Sequence, residues 1–145
     1  MSFNFKLLHG LLPVKDRINK IIPSSPAQCS LCSLASEESI QHALISCPFN
    51  QDVFGALVKV VRMVVPNIGN EELLRFDFQE VSQSLEFPVM FLVSTFLLEI
   101  WSRRMKKARI SLYDIRSTIE AKCALLRETR YQDSSTSIQD MLNNL

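Results

Sequence analysis

The sequence predicts an all-α protein, and three features carry that expectation. Only 3 of its 145 residues are glycine, too few for a turn-rich β fold. Apolar residues recur at intervals of three and four through most of the chain, the spacing of a helix face. The prolines fall at the edges of those stretches, where a helix starts or stops. At this length the chain can bury a core as one domain. With 47% hydrophobic and 21% charged residues its balance is that of a globular protein. A net charge of +1 specifies no polyanionic partner by itself.

The first segment, FNFKLLHGLL, sets Phe5, Leu8, Leu11 and Leu12 at helical spacing and ends at Pro13. Pro13 suits the first turn of a second helix through Val14, Arg17, Ile18, Ile21 and Ile22, which Pro23 stops. PSSPAQ, residues 23–28, is a loop by composition. Ser36 is placed to cap a third helix, with Glu37 and Glu38 in its positive first turn and Pro48 at its end. A fourth spans Gln51 to Val65, with Val53, Leu57, Val60, Val61 and Val64 on one side and Pro66 after it. Residues 71–87 hold five acidic residues against Arg75 and read as a short helix and an acidic loop.

Pro88 then opens a long helical region that reaches about Tyr131, split near Ile110 by Ser111 as an internal cap. Its greasiest part, Phe87 to Trp101, includes Pro88, Ser94, Thr95 and Glu99. It is shorter than the roughly 20 residues that cross a bilayer, so it reads as a buried core helix. The second half repeats Leu112, Ile115, Ile119, Cys123 and Leu126, an amphipathic stripe. Residues 132–145 are polar, lack aromatics and read as a flexible tail.

Four residues carry metal-binding chemistry, in the pattern Cys29-x2-Cys32-x9-His42-x4-Cys47. A CxxC turn presents two thiolates to one ion, and zinc takes four such ligands tetrahedrally. On a continuous α-helix Cys47 would lie off the face of His42, so it must sit where the helix ends, as Pro48 suggests. Three thiolates and one imidazole saturate the ion and leave no position for water. One structural zinc is therefore expected. Cys123, on an apolar stripe, reads as a small buried hydrophobe, and His9 as a helix histidine outside the site.

KLLHGLLPVKDRI (6–18), CSLC (29–32) and ESIQHALISCP (38–48), in this order, resemble the zinc-binding module that follows the reverse transcriptase domain in non-LTR retrotransposon polyproteins. The likeness covers about residues 5–54. SLYDIRSTIEAKCALLRETRY (111–131) is similar to C-terminal extensions of some animal members. The resemblance implies a module that holds element RNA or target DNA near the polymerase during target-primed reverse transcription. It also implies Cys29, Cys32, His42 and Cys47 as the zinc ligands. Nine residues separate Cys32 from His42 where a retroviral zinc knuckle has four, so knuckle-style base recognition does not carry over. No paired-aspartate polymerase motif and no endonuclease signature occurs in the chain.

The organisation expected is a zinc-binding helical module at 1–54, a helical extension at 55–131 packed on it or forming a bundle, and the tail at 132–145. Between residues 101 and 130, nine basic residues face three acidic ones, a local net of +6. Arg103, Arg104, Lys106, Lys107 and Arg109 in this stretch are the first candidates for phosphate contact, with Lys15, Arg17 and Lys20 as a second patch.

The expected partners are RNA and/or DNA, with docking on a reverse transcriptase domain or self-association also open. Neither a membrane nor a small-molecule substrate is expected. MSFNFKLLHG has no signal-peptide pattern, so the expected location is intracellular, in nucleus and/or cytoplasm. The competing reading is a structural or protein-interaction domain stapled by zinc. A zinc hydrolase or deaminase is disfavoured, because it needs an open metal position and deaminases carry His-x-Glu with Pro-Cys-x-x-Cys.

Overall fold

In the computed structural model, which describes residues 1–145, the chain forms seven α-helices, one π turn, one 3-10 turn and one isolated β-bridge, so the all-α expectation holds. Helix α1 (Phe3–Leu8) starts at Ser2, whose Oγ accepts the Phe5 N–H. It ends earlier than Pro13 because Gly10 takes φ 62°. The Gly10 N–H then bonds to the Leu7 carbonyl and the Leu11 N–H to the Lys6 carbonyl, a Schellman closure. That turn rotates the chain so that Leu7 and Leu12 enter the core, while Phe5 and Leu8 stay exposed.

Helix α2 (Lys15–Ile21) falls where it was expected but buries none of its residues, and Ile21 and Ile22 face solvent. The helix expected from Ser36 is absent. Gln28 and Glu37 pair in a β-bridge, and between Glu37 and Pro48 the chain is helical only at residues 40–46, most of it the π turn His42–Ser46. A 3-10 turn, Pro48–Asn50, leads into α3 (Gln51–Arg62), which buries Val53, Leu57, Val60 and Val61 as its spacing predicts. Helix α4 (Asn70–Arg75) closes on Phe76 in the left-handed region.

Helix α5 (Gln83–Met105) runs through Pro88 instead of starting at it. The N–H that Pro88 lacks would have reached Ser84, which is exposed, so its carbonyl is open to solvation. The helix is 23 residues long and apolar enough to cross a membrane by length and composition, so length does not settle its role. Its packing does. Val89, Leu92, Val93, Phe96, Leu97 and Ile100 are buried, and α3, α6 and α7 pack against it. The helix stops in a second Schellman closure in which Lys107, at φ 52°, takes the place usual for glycine.

Ser111 caps α6 (Leu112–Arg127) by accepting the Asp114 N–H, and Ile115, Ile119 and Cys123 are buried as read from the sequence. The segment 132–145 is no loose tail. It forms α7 (Gln132–Leu142), which buries Ile138, Met141 and Leu142 against α5 and α6. Ser135 Oγ donates to the Cys123 carbonyl, and the Tyr131 ring stacks on Phe87 at 4.7 Å. These apolar residues follow an i, i+3, i+4 pattern too sparse to stand out in a polar segment.

One cluster of 27 buried residues extends from Leu7 to Leu142. The division after residue 54 falls inside α3, so the N-terminal module and the extension share a helix and a core. Ile138→Ala and Leu142→Ala should each destabilise the protein by about 2–5 kcal/mol in urea unfolding. Values within about 0.5 kcal/mol would return the segment to a loose tail.

Candidate metal centre

Local backbone geometry brings the four predicted ligands together. The Cys29 N–H bonds to the Ser36 carbonyl at 2.9 Å and the Glu38 N–H to the Ala27 carbonyl at 2.9 Å, pinching the chain into a hairpin that carries the CSLC turn. Within that turn the Leu31 N–H points at Cys29 Sγ, 3.4 Å away. Ser39, not Ser36, is the capping residue of the next turn, its Oγ accepting the His42 N–H at 3.0 Å. The Cys47 N–H bonds to the His42 carbonyl, five residues back. An i→i+5 bond defines a π turn, which sets residues five apart over one another. This resolves the spacing problem that His-x4-Cys poses on an α-helix.

The ligand atoms of Cys29, Cys32, His42 and Cys47 all lie within 4.8 Å of one another. Cys29 Sγ is 3.9 Å from Cys47 Sγ, and Cys32 Sγ is 3.5 Å from His42 Nε2. A tetrahedron with Zn–S of about 2.3 Å and Zn–N of about 2.0 Å has S–S edges of about 3.8 Å and S–N edges of about 3.5 Å. The donor set fits one zinc ion, with three soft thiolates and one imidazole closing its coordination. Cys123 lies apart in the helical core, where burial pushes its thiol up. His9 packs its ring at a tilt against Phe5 and is not among the ligands.

Two residues that the sequence reading placed elsewhere stand against this centre. Arg104 was expected at a phosphate-binding surface, yet it is only 4% exposed. One of its Nη atoms donates both to Cys29 Sγ and to Glu38 Oε2, each at 2.8 Å. Burial opposes the Arg104 charge, but Cys47, Glu38 and Cys29 outweigh it and hold the guanidinium protonated. Burial also pushes the Cys29 thiol up. The Leu31 N–H, the His42 ring and the Arg104 charge reverse that and bring it down to about 6. Burial and the neighbouring sulfurs instead raise Cys32.

Glu38, read as a helix-start acid, is buried and also accepts the Lys15 backbone N–H. A signal for Arg104 was present. It lies four residues after Ile100 and eight after Phe96, on the buried face of α5.

The remaining basic candidates are dispersed. Lys106, Lys107 and Arg109 are exposed, while Arg103 is partly covered and 3.9 Å from Asp114. Lys20 pairs with Asp16, and Arg17 donates to the Gly10 carbonyl. Lys15 and Lys107 come from the two predicted patches, but both line one cavity of about 170 Å³ that Arg104 and Glu38 also border.

Fold and site together define a helical protein built around a structural Cys3His zinc module. The family model described as zinc-binding in reverse transcriptase matches residues 1–54, so this segment is similar to that family. All four ligands lie inside the match, and Arg104 lies outside it. No curated protein and no solved structure gives a significant match to the chain.

Elemental analysis of reduced, zinc-replete protein should find one zinc per chain. Cys29→Ser, Cys32→Ser, His42→Ala and Cys47→Ser should each lower that value to well under half, and Cys123→Ser should leave it unchanged. Retention of zinc by Cys47→Ser with loss by Cys123→Ser would refute the ligand set.

Proposed function

We propose that this chain is a nucleic-acid-handling module of a non-LTR retrotransposon reverse transcriptase, without catalysis of its own. The observation that carries the proposal is the Cys3His cluster inside a segment that matches the reverse-transcriptase zinc-binding family. Such a ligand set saturates zinc and leaves no site for a metal-bound water, which favours a structural role. The partner is RNA and/or DNA, engaged through phosphates by Arg103, Lys106, Lys107 and Arg109, with Lys15 lining the same cavity as Lys107. The location that goes with this role is intracellular, nuclear and/or cytoplasmic.

A second reading rests on the exposed apolar residues of the N-terminal module, Phe5, Leu8, Ile21, Ile22 and Leu34. They favour docking on a polymerase domain or a second copy, with zinc as a staple only.

Titrating the zinc-loaded chain with single- and double-stranded RNA and DNA at several salt concentrations separates the two. Three or four phosphate contacts give log K a slope of about −2 to −4 against log salt. Replacing Arg103, Lys106, Lys107 and Arg109 by glutamine should flatten the slope and weaken all sequences alike, since phosphate contacts carry no sequence information. No binding at low salt by the parent protein would overturn the nucleic-acid proposal and favour the docking reading.

A further inference from the structure

We infer that Arg104 is a positioning residue of the metal centre, and that it makes zinc occupancy and the anchoring of the α5 C-terminus one coupled equilibrium. The inference rests on the zinc assignment and not on nucleic-acid binding. Its starting point is sequence distance. Arg104 reaches Cys29 across 75 residues and Glu38 across 66, from a helix outside the segment that matches the zinc-binding family.

Charge supplies the argument. Zinc with three thiolates and a neutral imidazole carries a net charge of −1, and a buried centre of that charge needs a compensating cation. Arg104 is the buried cation, and its side chain is 3% exposed. It also holds Glu38 at 2.8 Å, and Glu38 in turn fixes the start of α2 through the Lys15 N–H. Two of its nitrogens, Nε and Nη1, have no hydrogen-bond partner, so the guanidinium depends on the few anions around it.

Removing the metal frees the ligand sulfurs to move, and with them the Cys29 Sγ that Arg104 contacts, so Glu38 becomes the one fixed partner of the guanidinium. A buried cation that loses an anionic partner destabilises the segment that carries it. That segment is the last turn of α5, followed directly by the exposed Lys106, Lys107 and Arg109. By linkage the coupling is reciprocal, so the docked α5 end tightens the metal as much as the metal secures the helix end.

The test uses the full chain, with zinc affinity read by competition against a chromophoric chelator. Groups that orient metal ligands typically contribute 10–100-fold to metal affinity, and Arg104→Met should lose that much. Arg104→Lys, which keeps the charge but not the planar fork, should recover part of it. In the cobalt-substituted protein Arg104→Met should also shift the thiolate-to-metal charge-transfer band, which a merely structural role would not move.

Ile119→Ala serves as the control. It weakens the same helical core away from the metal and should leave affinity and band unchanged. Hydrogen exchange should show zinc protecting residues 100–105 in the parent and not in Arg104→Met. Zinc affinity within twofold of the parent in Arg104→Met, with the cobalt band unmoved, would overturn the inference. If Arg104→Met does not fold, Arg104→Lys decides. An unchanged band and affinity in that variant, whose shorter side chain draws the cation back from Cys29 Sγ and Glu38 Oε2, overturn it equally. If the parent protein binds no zinc, the metal assignment itself fails, an outcome distinct from either of these.

Discussion

A buried guanidinium between a carboxylate and a thiolate is the constraint on which the rest of this structure turns. Arg104 comes from the last turn of the central helix, Glu38 from the strand-like return of a hairpin and Cys29 from the tip of that hairpin. None of these groups could be buried alone, because an isolated charge in a low-dielectric interior is costly. Together with the Cys47 sulfur they form a set in which one cation faces several anionic groups. The hairpin is thereby held against α5 by polar contacts where its own apolar residues are few. Between Lys15 and Gln41 only Cys29 and Glu38 are buried, and both belong to this set.

The metal ligands were legible in the sequence because zinc chemistry constrains residue type and approximate spacing more than it constrains the backbone between them. CxxC followed by His-x4-Cys is informative even when the intervening structure is misread. It was misread here. Ser36, Glu37 and Glu38 look like a capped helix start, but Glu37 pairs with Gln28 and Ser39 does the capping. The π turn at His42–Ser46 also had no signature of its own, since its residues carry no sequence mark that separates an i→i+5 bond from the ordinary i→i+4 one.

Helix ends and helix faces were legible in unequal measure, for the same kind of reason. Helix α3 and the buried stripe of α6 follow from apolar spacing, because tertiary packing agrees with local pattern there. The end of α1 was marked by Gly10, whose left-handed turn overrides the apolar run that continues to Leu12. The end of α5 had no such mark, since Lys107 adopts the left-handed conformation without being glycine. Helix α7 escaped notice because three apolar residues suffice to dock a polar helix when α5 and α6 already offer it a groove.

The family match ends at residue 54, inside α3 and inside the shared core, and not at an element boundary. Ala43, Leu44 and Ile45, inside the zinc loop, are buried in the cluster that includes Phe96, Ile119 and Leu142. Cut at residue 54, the chain would lose most of α3 and all of α5, exposing that apolar wall and removing the only buried cation beside the sulfurs. The zinc loop would then lack the surface it packs on. The ligand pattern thus records the chemistry of the centre, while the helices beyond the match supply its counter-charge and its floor. Of the nine basic residues between 101 and 130, Arg104 is the only buried one. A single four-residue step along the α5 stripe therefore separates an internal counter-ion from the solvent-facing cations around it.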